Sequence, residues 1–497
     1  MGGMPQEKSA ANAAFAVNAA VRSAPEAQAT PRDFDTLPGP RGLPIVGNVF
    51  QIDSMQFHVT LEQWARTYGP MYRFRGGPQR LMVVSDPAVI ATLLRDRPDN
   101  IRRTFRSARV FQELGTTGVF NAEGEDWRRQ RKLVMKALTP EVIRNFFPTL
   151  VALTDRLLER WQAAARTGRK VNVLRDLKAW TLDVTIWLAM GQDINTLEHD
   201  ANPLQRDIET IFNRVARRLT TPISYWRYFK LPADREADAA SARIQAAVTG
   251  FVAQTRARIE ADPALRAKPT NLLEAFVVAR DEPGSGFSDE NVVGNAVTMV
   301  FAGEDTTSNT IAWLLDFIAR DARVADLVAA EADAALGGTE VLRDLASLER
   351  FPYLDAAVGE AMRLKPVAPF LGLETNREIV IGGVLVPERT PVIVLTRLSG
   401  LDPADFPAPG EFRPERWLEG KRPASDDPAR KLFPFGGGPR FCPGRYLALA
   451  EIKMAMAMIA GNFRVALDAN PPEVKELFTF TMTPSALPVH LLARHPA

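Results

Sequence analysis

Apolar residues recur every three or four positions through the middle of the chain, from about residue 125 to residue 326, and this period is typical of amphipathic helices. Shorter apolar runs next to glycine pairs are typical of strands. Residues 71–74 and 80–84 flank Gly76-Gly77, and three later runs, at 379–381, 384–386 and 392–395, lie around or soon after Gly382-Gly383. The pattern predicts a mainly α protein with a smaller β-rich part, an α+β fold to which both halves of the chain contribute.

The extent of the ordered part follows from composition. The stretch before Leu37 is rich in alanine and has no long apolar core, so residues 1–36 are predicted to form a disordered tail. Residues 37–497 are then expected to form one large domain. Its β-rich part is expected mainly at about 60–100 and 370–400, with further strands near the C-terminus. Its helical part is expected mainly at about 125–365 and 442–465.

Charge and composition exclude several classes of function. The chain has 61 Lys and Arg against 59 Asp and Glu, a net charge of +2, so no nucleic-acid partner is expected. Because no apolar window of about 18 residues occurs, no membrane-spanning helix is expected. A single cysteine cannot form a disulfide framework, which favours a reducing compartment and a cytoplasmic protein.

That cysteine, Cys442, lies in a glycine-rich loop, residues 435–444, just ahead of a helical pattern. Glycines let a backbone come close to a flat object, and backbone N–H groups at a helix N-terminus stabilise a thiolate. A lone cysteine without such a context is usually an inert, buried residue. Here the loop is expected to hold one sulfur rigidly with its proton readily lost, and haem iron is a partner that suits it.

A second polar segment lies inside a long predicted helix. Residues 288–321 are predicted to form one helix, with Ser288 as its N-cap and acidic residues in its first turn. Within it, residues 302–307 (Ala-Gly-Glu-Asp-Thr-Thr) interrupt an apolar sequence. Gly303 and the threonine hydroxyls weaken the local hydrogen-bond ladder, so a kink or an inserted water is expected. A helix break or a solvated patch is the structural alternative to a groove that handles dioxygen and protons.

Four motifs together resemble the cytochrome P450 superfamily. The loop carries Phe-x-x-Gly-x-Arg-x-Cys-x-Gly, which is similar to the family's haem-binding signature. The other motifs follow the family's order: Trp127 with Arg131, residues 302–307, and Glu360 with Arg363 and later Arg416. The resemblance covers nearly the whole chain from about Leu37. It implies a single large domain of the triangular-prism type and a soluble, bacterial-type haem-thiolate monooxygenase.

The resemblance also implies roles for the matched residues. Cys442 would be the proximal ligand of the iron of haem b. Thr306 would hydrogen-bond dioxygen, Asp305 would relay protons from solvent, and Glu304 could share that relay. Further haem contacts would come from Trp127, Arg131, Ala302, Phe435, Gly436, Arg440 and Gly444. The chain departs from the family at Leu373, where many members carry an arginine for a haem propionate.

A buried ionic network is the next implication. Glu360 and Arg363 lie three residues apart on one helical face, and as an isolated pair they would be no more than a surface salt bridge of little value. By the resemblance, they and Arg416 would instead lock the cysteine loop beneath the haem. Bidentate arginine–carboxylate geometry suits such a buried lock.

The activity implied is the insertion of one oxygen atom of O2 into a C–H or C=C bond. Electrons would come from NAD(P)H through a separate ferredoxin, flavodoxin or flavoprotein reductase. The basic residues around Trp127 would be its docking face, or no more than a solvated basic surface; they are Arg128, Arg129, Lys132 and Lys136. The protein is expected to be a monomer.

Separated apolar stretches would line the substrate pocket, among them a loop at 105–120 and the stretch 478–482. The candidate residues are Val300, Val367, Phe370, Leu371 and Phe480, and about half of such apolar residues are expected to pack the core instead. An apolar lining implies a fatty acid, a terpenoid or an aromatic compound. Two rival functions stay open, a peroxide-driven haem peroxygenase and a non-catalytic haem-thiolate sensor.

Overall fold

Long helices account for most of the residues that the structure, a computed structural model, describes; these residues are 30–199, 202–221, 223–419 and 427–494. The α-helices are α1 (Phe57–Tyr68), α2 (Pro87–Arg95), α3 (Phe105–Glu113), α4 (Gly124–Ala137), α5 (Pro140–Arg166), α6 (Val173–Met190), α7 (Pro203–Thr220), α8 (Pro232–Ala261), α9 (Ala264–Ala267), α10 (Leu272–Asp281), α11 (Asp289–Arg320), α12 (Ala322–Leu336), α13 (Pro352–Leu364) and α14 (Arg445–Asn462). The strands are β1 (Arg32–Asp33), β2 (Met71–Gly76), β3 (Gln79–Val84), β4 (Ile101–Arg103), β5 (Phe370–Thr375), β6 (Ile379–Ile381), β7 (Val384–Val386), β8 (Pro391–Leu395), β9 (Phe463–Leu467), β10 (Glu476–Phe478), β11 (Met482–Pro484) and β12 (Val489–Ala493).

The longest helix, α11, runs through the core of the helical part. Ser288 caps it, because its Oγ accepts a hydrogen bond from the Asn291 N–H at 3.1 Å while Asn291 Oδ1 accepts one from the Ser288 N–H at 3.0 Å. This reciprocal arrangement satisfies two donors of the first turn. The helix predicted over residues 288–321 is confirmed, and its most extensive helical neighbour is α6.

Strands from both halves of the chain meet in a five-stranded sheet of order β2-β3-β8-β5-β4. The hairpin predicted around Gly76-Gly77 is β2–β3, and β8 joins β3 in parallel. On the other side, β4 pairs with β5 so that Arg103 lies opposite Leu373. Smaller sheets join β1 to β7 and β6, β9 to β12, and β10 to β11. The predicted combination of a large helical part with a smaller β part is confirmed.

The structure corrects two boundaries. Residues 1–29 of the predicted tail lie outside the described residues, but Arg32–Asp33 pairs with β7, and Phe34 is buried beside the guanidinium of Arg80. The tail prediction was therefore wrong for residues 32–36, since one buried aromatic ring and a short strand pair are too brief to stand out in composition. The stretch 105–120, expected to be a loop, contains α3, and 60–100 includes α1 and α2 beside its strands.

Two apolar cores support this architecture. The larger one lies among the helices and includes Trp161, Trp180 and Leu314, and a smaller one under the five-stranded sheet includes Met82 and Val394. Across the described ranges, none of the helices combines the length and the apolar character needed to cross a bilayer.

Candidate active site

The loop before α14 holds Cys442 in a defined backbone arrangement. The Cys442 N–H donates to the Phe435 carbonyl oxygen at 2.9 Å and so closes the loop. Gly438 has a φ of 63°, in the left-handed region that favours glycine. A Cβ at Gly438 would lie 2.1 Å from the Leu94 carbonyl oxygen, so glycine also allows the loop to pack against α2. The loop thereby places Cys442 at the wall of an internal cavity.

Burial raises the pKa of the Cys442 thiol, while the Gly444 N–H and the guanidinium groups of Arg131 and Arg445 act in the opposite direction. The expectation that the loop alone makes the proton readily lost was therefore wrong, because desolvation of a thiolate outweighs one backbone donor and the nearby positive charges. A coordinated metal ion changes this balance, since a coordinating thiol is deprotonated outright.

The cavity, of about 360 Å³, brings the separate sequence motifs together. Its wall includes Thr306 from α11 and Cys442 from the loop. It also includes the predicted contacts Trp127, Arg131, Ala302, Phe435, Gly436, Arg440 and Gly444. Residues that are more than 300 positions apart in the sequence, such as Trp127 and Cys442, thus face one space.

An excess of positive charge marks one part of this wall. Among the described residues, four arginines line the cavity, namely Arg97, Arg103, Arg131 and Arg440. Burial, reinforced by neighbouring guanidinium groups, lowers the pKa of the first two and of Arg440 to about 10, and Glu123 opposes the change. The Glu123 carboxylate is 2.6 Å from Arg440 and 4.0 Å from Arg97. The one negative charge of Glu123 balances only part of the positive charge of the four arginines.

The same arginines carry free donors. Within the part of the chain that the structure describes, the Nε atoms of Arg97, Arg103 and Arg440 are buried without a hydrogen-bond partner. A buried donor without a partner is costly. The cluster therefore suits a ligand that brings more than one carboxylate.

Helix α4 is tied directly to the cysteine loop. Arg131 Nη2 donates to the Phe441 carbonyl oxygen at 2.6 Å, and its guanidinium lies 4.8 Å from the Phe441 ring. The guanidinium of Arg440 lies 4.6 Å from the ring of Trp127, within the range of a cation–π contact. Both predicted residues of the Trp-x-x-x-Arg motif therefore contact the loop.

The polar strip of α11 lies in a helix that continues without a break. Thr306 is on the cavity wall, and its Oγ1 donates to the Ala302 carbonyl oxygen at 2.8 Å. Gly303 serves close packing: a Cβ there would lie 1.9 Å from Thr185 Oγ1 on α6. The helix break considered for this strip is not present, because the threonine hydroxyl bonds within the helix and the glycine accommodates a neighbouring helix.

Asp305 lies off the cavity wall in a cage of donors. Its Oδ2 accepts from Thr481 Oγ1 at 2.7 Å, and its Oδ1 accepts from Asn309 Nδ2 at 3.0 Å and is 3.3 Å from Lys178 Nζ. Burial lowers the pKa of Lys178, but the carboxylates of Asp305, Glu304 and Glu209 outweigh it, so the net shift is upward. The predicted relay acid is thus held by three side chains.

Glu304 is a different kind of acid from its neighbour. It is fully buried, and both of its carboxyl oxygens are without a hydrogen-bond partner among the residues described. Burial raises its pKa well above the ordinary range, and Asp305 and Glu209 add to this against the opposing charge of Lys178. Burial therefore favours the protonated form of Glu304, which like Asp305 does not lie on the cavity wall.

The Glu360 network is buried, unlike an ordinary surface pair. Arg363 donates to both Glu360 oxygens, at 2.8 and 2.7 Å, and Arg416 Nε donates at 2.8 Å. The Arg413 N–H and Trp417 Nε1 add bonds at 3.0 and 2.9 Å. Arg363 also donates to the carbonyl oxygens of Gly400, Pro409 and Glu411. The network locks α13 to the segment 400–417, which precedes the cysteine loop.

The candidate pocket residues divide into two groups. Val367, Leu371 and Phe480 lie on the cavity wall. Val300 and Phe370 do not. Val300 packs in the apolar core among the helices, and Phe370 points to the other face of β5, where its ring packs 5.2 Å from Phe57 and 4.7 Å from Phe478. Alternation along the strand turns Phe370 away from the cavity that its neighbour Leu371 lines.

Residues 37–490 match the model of the family described as Cytochrome P450. The chain belongs to the cytochrome P450 family. It is 27% identical to cytochrome P450 3A6 of Oryctolagus cuniculus over 451 residues, 87% of this chain and 86% of that protein. It is 29% identical to the mitochondrial 25-hydroxyvitamin D-1 alpha hydroxylase of Homo sapiens over 456 residues, 87% of each. It is 27% identical to the self-sufficient cytochrome P450 monooxygenase CYP505E4 of Penicillium expansum over 475 residues, 93% of this chain but 44% of that protein.

P450 enzymes are haem-thiolate monooxygenases, which use haem b and electrons from NAD(P)H that a reductase partner delivers. The cavity of this P450 fits that group. Cys442 would ligate the iron, and the uncompensated arginines would hold the two propionates. When bound, the haem supplies the redox chemistry of dioxygen activation. The bacterial type expected from the sequence stays a prediction.

Two of the propionate candidates, Arg97 and Arg103, belong to no motif and were missed by sequence reasoning. Leu373 on β5 does not supply the expected arginine, but Arg103 lies directly opposite it on β4 and faces the cavity. The neighbouring strand thus provides the guanidinium that the departure at Leu373 removed. Strand register, which carries this information, is not visible in one sequence.

A buried carboxyl on α14 was also missed. Glu451 lies on the cavity wall, and one of its oxygens has no hydrogen-bond partner in the described part of the chain. Burial raises the pKa of Glu451 to about 8, although a hydrogen bond with Thr307 opposes the shift. Its only sequence signal is an acidic residue inside the apolar helix after Cys442.

Proposed function

We propose that this P450 hydroxylates or epoxidises a hydrophobic small molecule such as a fatty acid, a terpenoid or an aromatic compound. The observation that carries the proposal is the apolar wall that shares one cavity with Thr306 and Cys442. This wall includes Phe111, Val119, Phe120, Val367, Leu371 and Phe480. Apolar guests bind to such walls because each square ångström removed from water contributes roughly 25 cal/mol. The human relative's name, 25-hydroxyvitamin D-1 alpha hydroxylase, describes hydroxylation of another small molecule.

The residues of α11 would manage the protons of the reaction. Thr306 is on the cavity wall and can donate through its hydroxyl once its bond to Ala302 is exchanged. Asp305 would supply protons to it after leaving its cage, and Glu304, whose pKa burial raises, would share that relay. General acids of this kind typically contribute 10²- to 10⁴-fold to a rate. Such a relay favours O2 over peroxide as the oxidant.

Electrons would reach the haem through a separate ferredoxin, flavodoxin or flavoprotein reductase. Helix α4 contacts the cysteine loop through Arg131, and its Lys132 and Lys136 are exposed. Arg128 and Arg129 on the same helix are engaged by acidic residues, Arg128 by Asp99 and Glu125 and Arg129 by Asp126. The two lysines therefore carry most of the attraction for an acidic partner in our proposal, in which the enzyme works as a cytoplasmic monomer.

The test is a visible-absorption titration of the purified ferric protein with dodecanoic acid, camphor and naphthalene. A guest that binds in the cavity beside the haem iron would shift the Soret band from its low-spin to its high-spin position. Each shifting guest is then incubated with NADPH and a surrogate ferredoxin and ferredoxin reductase, or with H2O2 alone. Oxygenated product with the NADPH system supports the proposal. Product with H2O2 alone would favour a peroxygenase, and a lack of any shift would overturn the choice of guests.

A further inference from the structure

The hairpin β10–β11 connects the substrate wall to the cage of Asp305. Its turn, residues 479–481, carries Phe480 on the cavity wall and Thr481 directly beside it. The Phe480 ring stacks on Phe212 of α7, with centroids 4.6 Å apart and planes at 12°, and its centroid is 6.1 Å from that of Phe111 of α3. The ring at the tip of the hairpin therefore borders the space that a bulky guest would enter.

The next residue holds the acid of α11. Thr481 is buried, and its hydroxyl donates to Asp305 Oδ2 at 2.7 Å while it accepts from Asn309 Nδ2 at 2.9 Å. Thr483, two residues later, accepts from Asn309 at 3.0 Å, and no hydrogen bond to Asp305 is recorded for it in the described structure. The tip thus meets the cage of Asp305 through one hydroxyl, that of Thr481.

The base of the same hairpin is clamped. Glu476 contacts Lys365, accepts from Arg397 Nη1 at 2.6 Å and lies 2.9 Å from His58 Nε2. Met482 N–H donates to the Val367 carbonyl oxygen at 2.8 Å, and the Met482 carbonyl oxygen accepts from Trp313 Nε1 at 3.0 Å. Because ion pairs and backbone hydrogen bonds hold the base in place, any movement of the Phe480 ring requires the three-residue turn to change its conformation.

We infer that this turn couples occupancy of the cavity to the release of Asp305, with Thr481 as a positioning residue. A guest that moves Phe480 draws Thr481 Oγ1 away from Asp305, and the acid then has one fewer donor holding it off the cavity wall. Asp305 is freed for proton transfer when a guest is present, and it stays caged when the cavity holds none. The inference deepens the proposed function, since it rests on the relay role of Asp305.

Thermodynamic linkage makes the coupling measurable without turnover. If a bulky ligand has to break the Thr481–Asp305 bond, removal of that bond tightens the ligand's binding. A hydrogen bond to a charged group is worth about 1.5–3 kcal/mol, so the tightening should be about tenfold or more. The affinity for a small ligand that leaves Phe480 in place should not change when the Thr481–Asp305 bond is removed.

The experiment uses ferric holoenzyme and two azoles that bind haem iron directly, imidazole as the small ligand and clotrimazole as the bulky one. Soret titrations give Kd for wild type and for Thr481→Val, Thr481→Ser and Thr483→Val. We expect the Kd of clotrimazole, but not that of imidazole, to fall about tenfold in Thr481→Val. Thr481→Ser, which keeps the hydroxyl, and Thr483→Val, which leaves the bond to Asp305 intact, should match wild type.

Repeating the titrations in a Phe480→Ala protein distinguishes coupling through Thr481 from a merely structural role of Thr481. In Phe480→Ala, which removes the displaced ring, Thr481→Val should no longer change the Kd of clotrimazole. An equal effect on both azoles, or an effect that persists in Phe480→Ala, would overturn the inference. The azole titration needs haem but no substrate turnover. If Thr481→Val changes the Kd of clotrimazole as expected but the wild-type enzyme oxygenates no guest, the proposed function is contradicted and the coupling still holds.

Discussion

At the scale of single residues, the chemistry of the cavity depends on where burial leaves each charge. Arg103, which is half-buried, and Glu451, which is buried, both lie on the cavity wall, and burial shifts both pKa values towards the neutral form. Arg103 stays positively charged at neutral pH because its pKa only falls to about 10, whereas Glu451 becomes neutral because its pKa rises to about 8. The wall therefore attracts anions at the arginines and carries a neutral acid at α14.

Thr306 is the first residue to test, because its hydroxyl is the group to which the proton transfer is assigned. Thr306→Ala removes a donor from the cavity wall, so more dioxygen should leave as peroxide before the bond between its oxygens is cleaved. The measurement is peroxide formed per NAD(P)H consumed, and we expect a several-fold increase. Ser308→Ala is the matched control, because Ser308 also bonds within α11, to the Glu304 carbonyl oxygen at 2.6 Å, but lies off the wall. Unchanged coupling in Thr306→Ala would remove the assigned role.

Arg103 is expected to retain haem through a propionate. Arg103→Gln removes a buried charge-assisted bond worth about 1.5–3 kcal/mol, which corresponds to about a tenfold or greater rise in the rate of haem loss. That rate is measured by transfer of haem to excess apomyoglobin. Arg75→Gln, which changes an exposed arginine of the same sheet, should lose haem at the wild-type rate. Equal rates in the two variants would contradict the assignment.

At the scale of elements, the site is assembled by contacts between distant parts of the chain. α4 meets the cysteine loop through Arg131, α6 packs against α11 at Gly303, and α13 is locked to the segment 400–417 through Glu360. Each contact is polar or closely packed, so each constrains geometry as well as adding stability. One of these locked segments, 400–417, precedes the cysteine loop in the chain.

The buried Glu360 network can be tested by comparing two glutamates, Glu360 and Glu125, each of which pairs with an arginine three residues later. Glu360→Ala leaves Arg363 and Arg416 buried without their carboxylate, which should cost about 3–5 kcal/mol and reduce the haem content of the purified protein. Glu125 also pairs with an arginine three residues later, Arg128, but both are exposed, so Glu125→Ala should cost at most about 1 kcal/mol. Haem per polypeptide and thermal midpoint are measured for both. Normal haem content in Glu360→Ala would refute the lock.

At the scale of the whole molecule, buried and surface charges act on folding and association. Glu451 couples the global stability to pH, because its carboxyl is neutral in the folded protein up to a pKa of about 8 and ionises at its ordinary value in the unfolded chain. Lys132 and Lys136 act outward, on the approach of a partner. The first effect changes the stability of the whole fold with pH, and the second changes the rate at which a redox partner associates with the protein.

The sign of the pH dependence follows from the raised pKa of Glu451. Between its ordinary pKa and about 8, the folded state binds one more proton than the unfolded state, so stability falls as pH rises through this range. The loss from pH 5 to pH 8 should be on the order of a few kcal/mol. Glu451→Gln should flatten the decline of the thermal midpoint over this range, and Glu260→Gln, at an exposed position, should not. Parallel declines in wild type and Glu451→Gln would show that Glu451 does not control it.

Partner docking is tested by charge reversal on α4. Lys132→Glu with Lys136→Glu should slow reduction by an acidic plant-type ferredoxin about tenfold or more at low salt, because steering by surface charge accelerates association. The difference should shrink as salt screens the charges. Lys170→Glu with Lys268→Glu makes the same change in net charge at other exposed positions. A similar loss in both double variants would argue for net charge alone and against a docking face at α4.

Local patterns were sufficient to predict much of this P450. The limits of α11, the β2–β3 hairpin and the Cys442 loop all follow from residues close together in the sequence, where caps, glycine turns and periodicity act over a few positions. By their resemblance to the family, the four motifs also implied that Thr306 and Cys442 act at one haem, and both line one cavity. Residue types and short spacings carry this information because the physical effects behind them are local.

Only the tertiary structure decided how distant residues share the site. Register between β4 and β5 brought Arg103 opposite Leu373, the facing of β5 turned Phe370 away while Leu371 lines the cavity, and folding joined Thr481 to Asp305 across 176 positions. Gly303 likewise gained its role from the approach of α6. These outcomes depend on which surfaces pack together, and burial then raises the pKa values of Glu304 and Glu451, so no short stretch of sequence determines them.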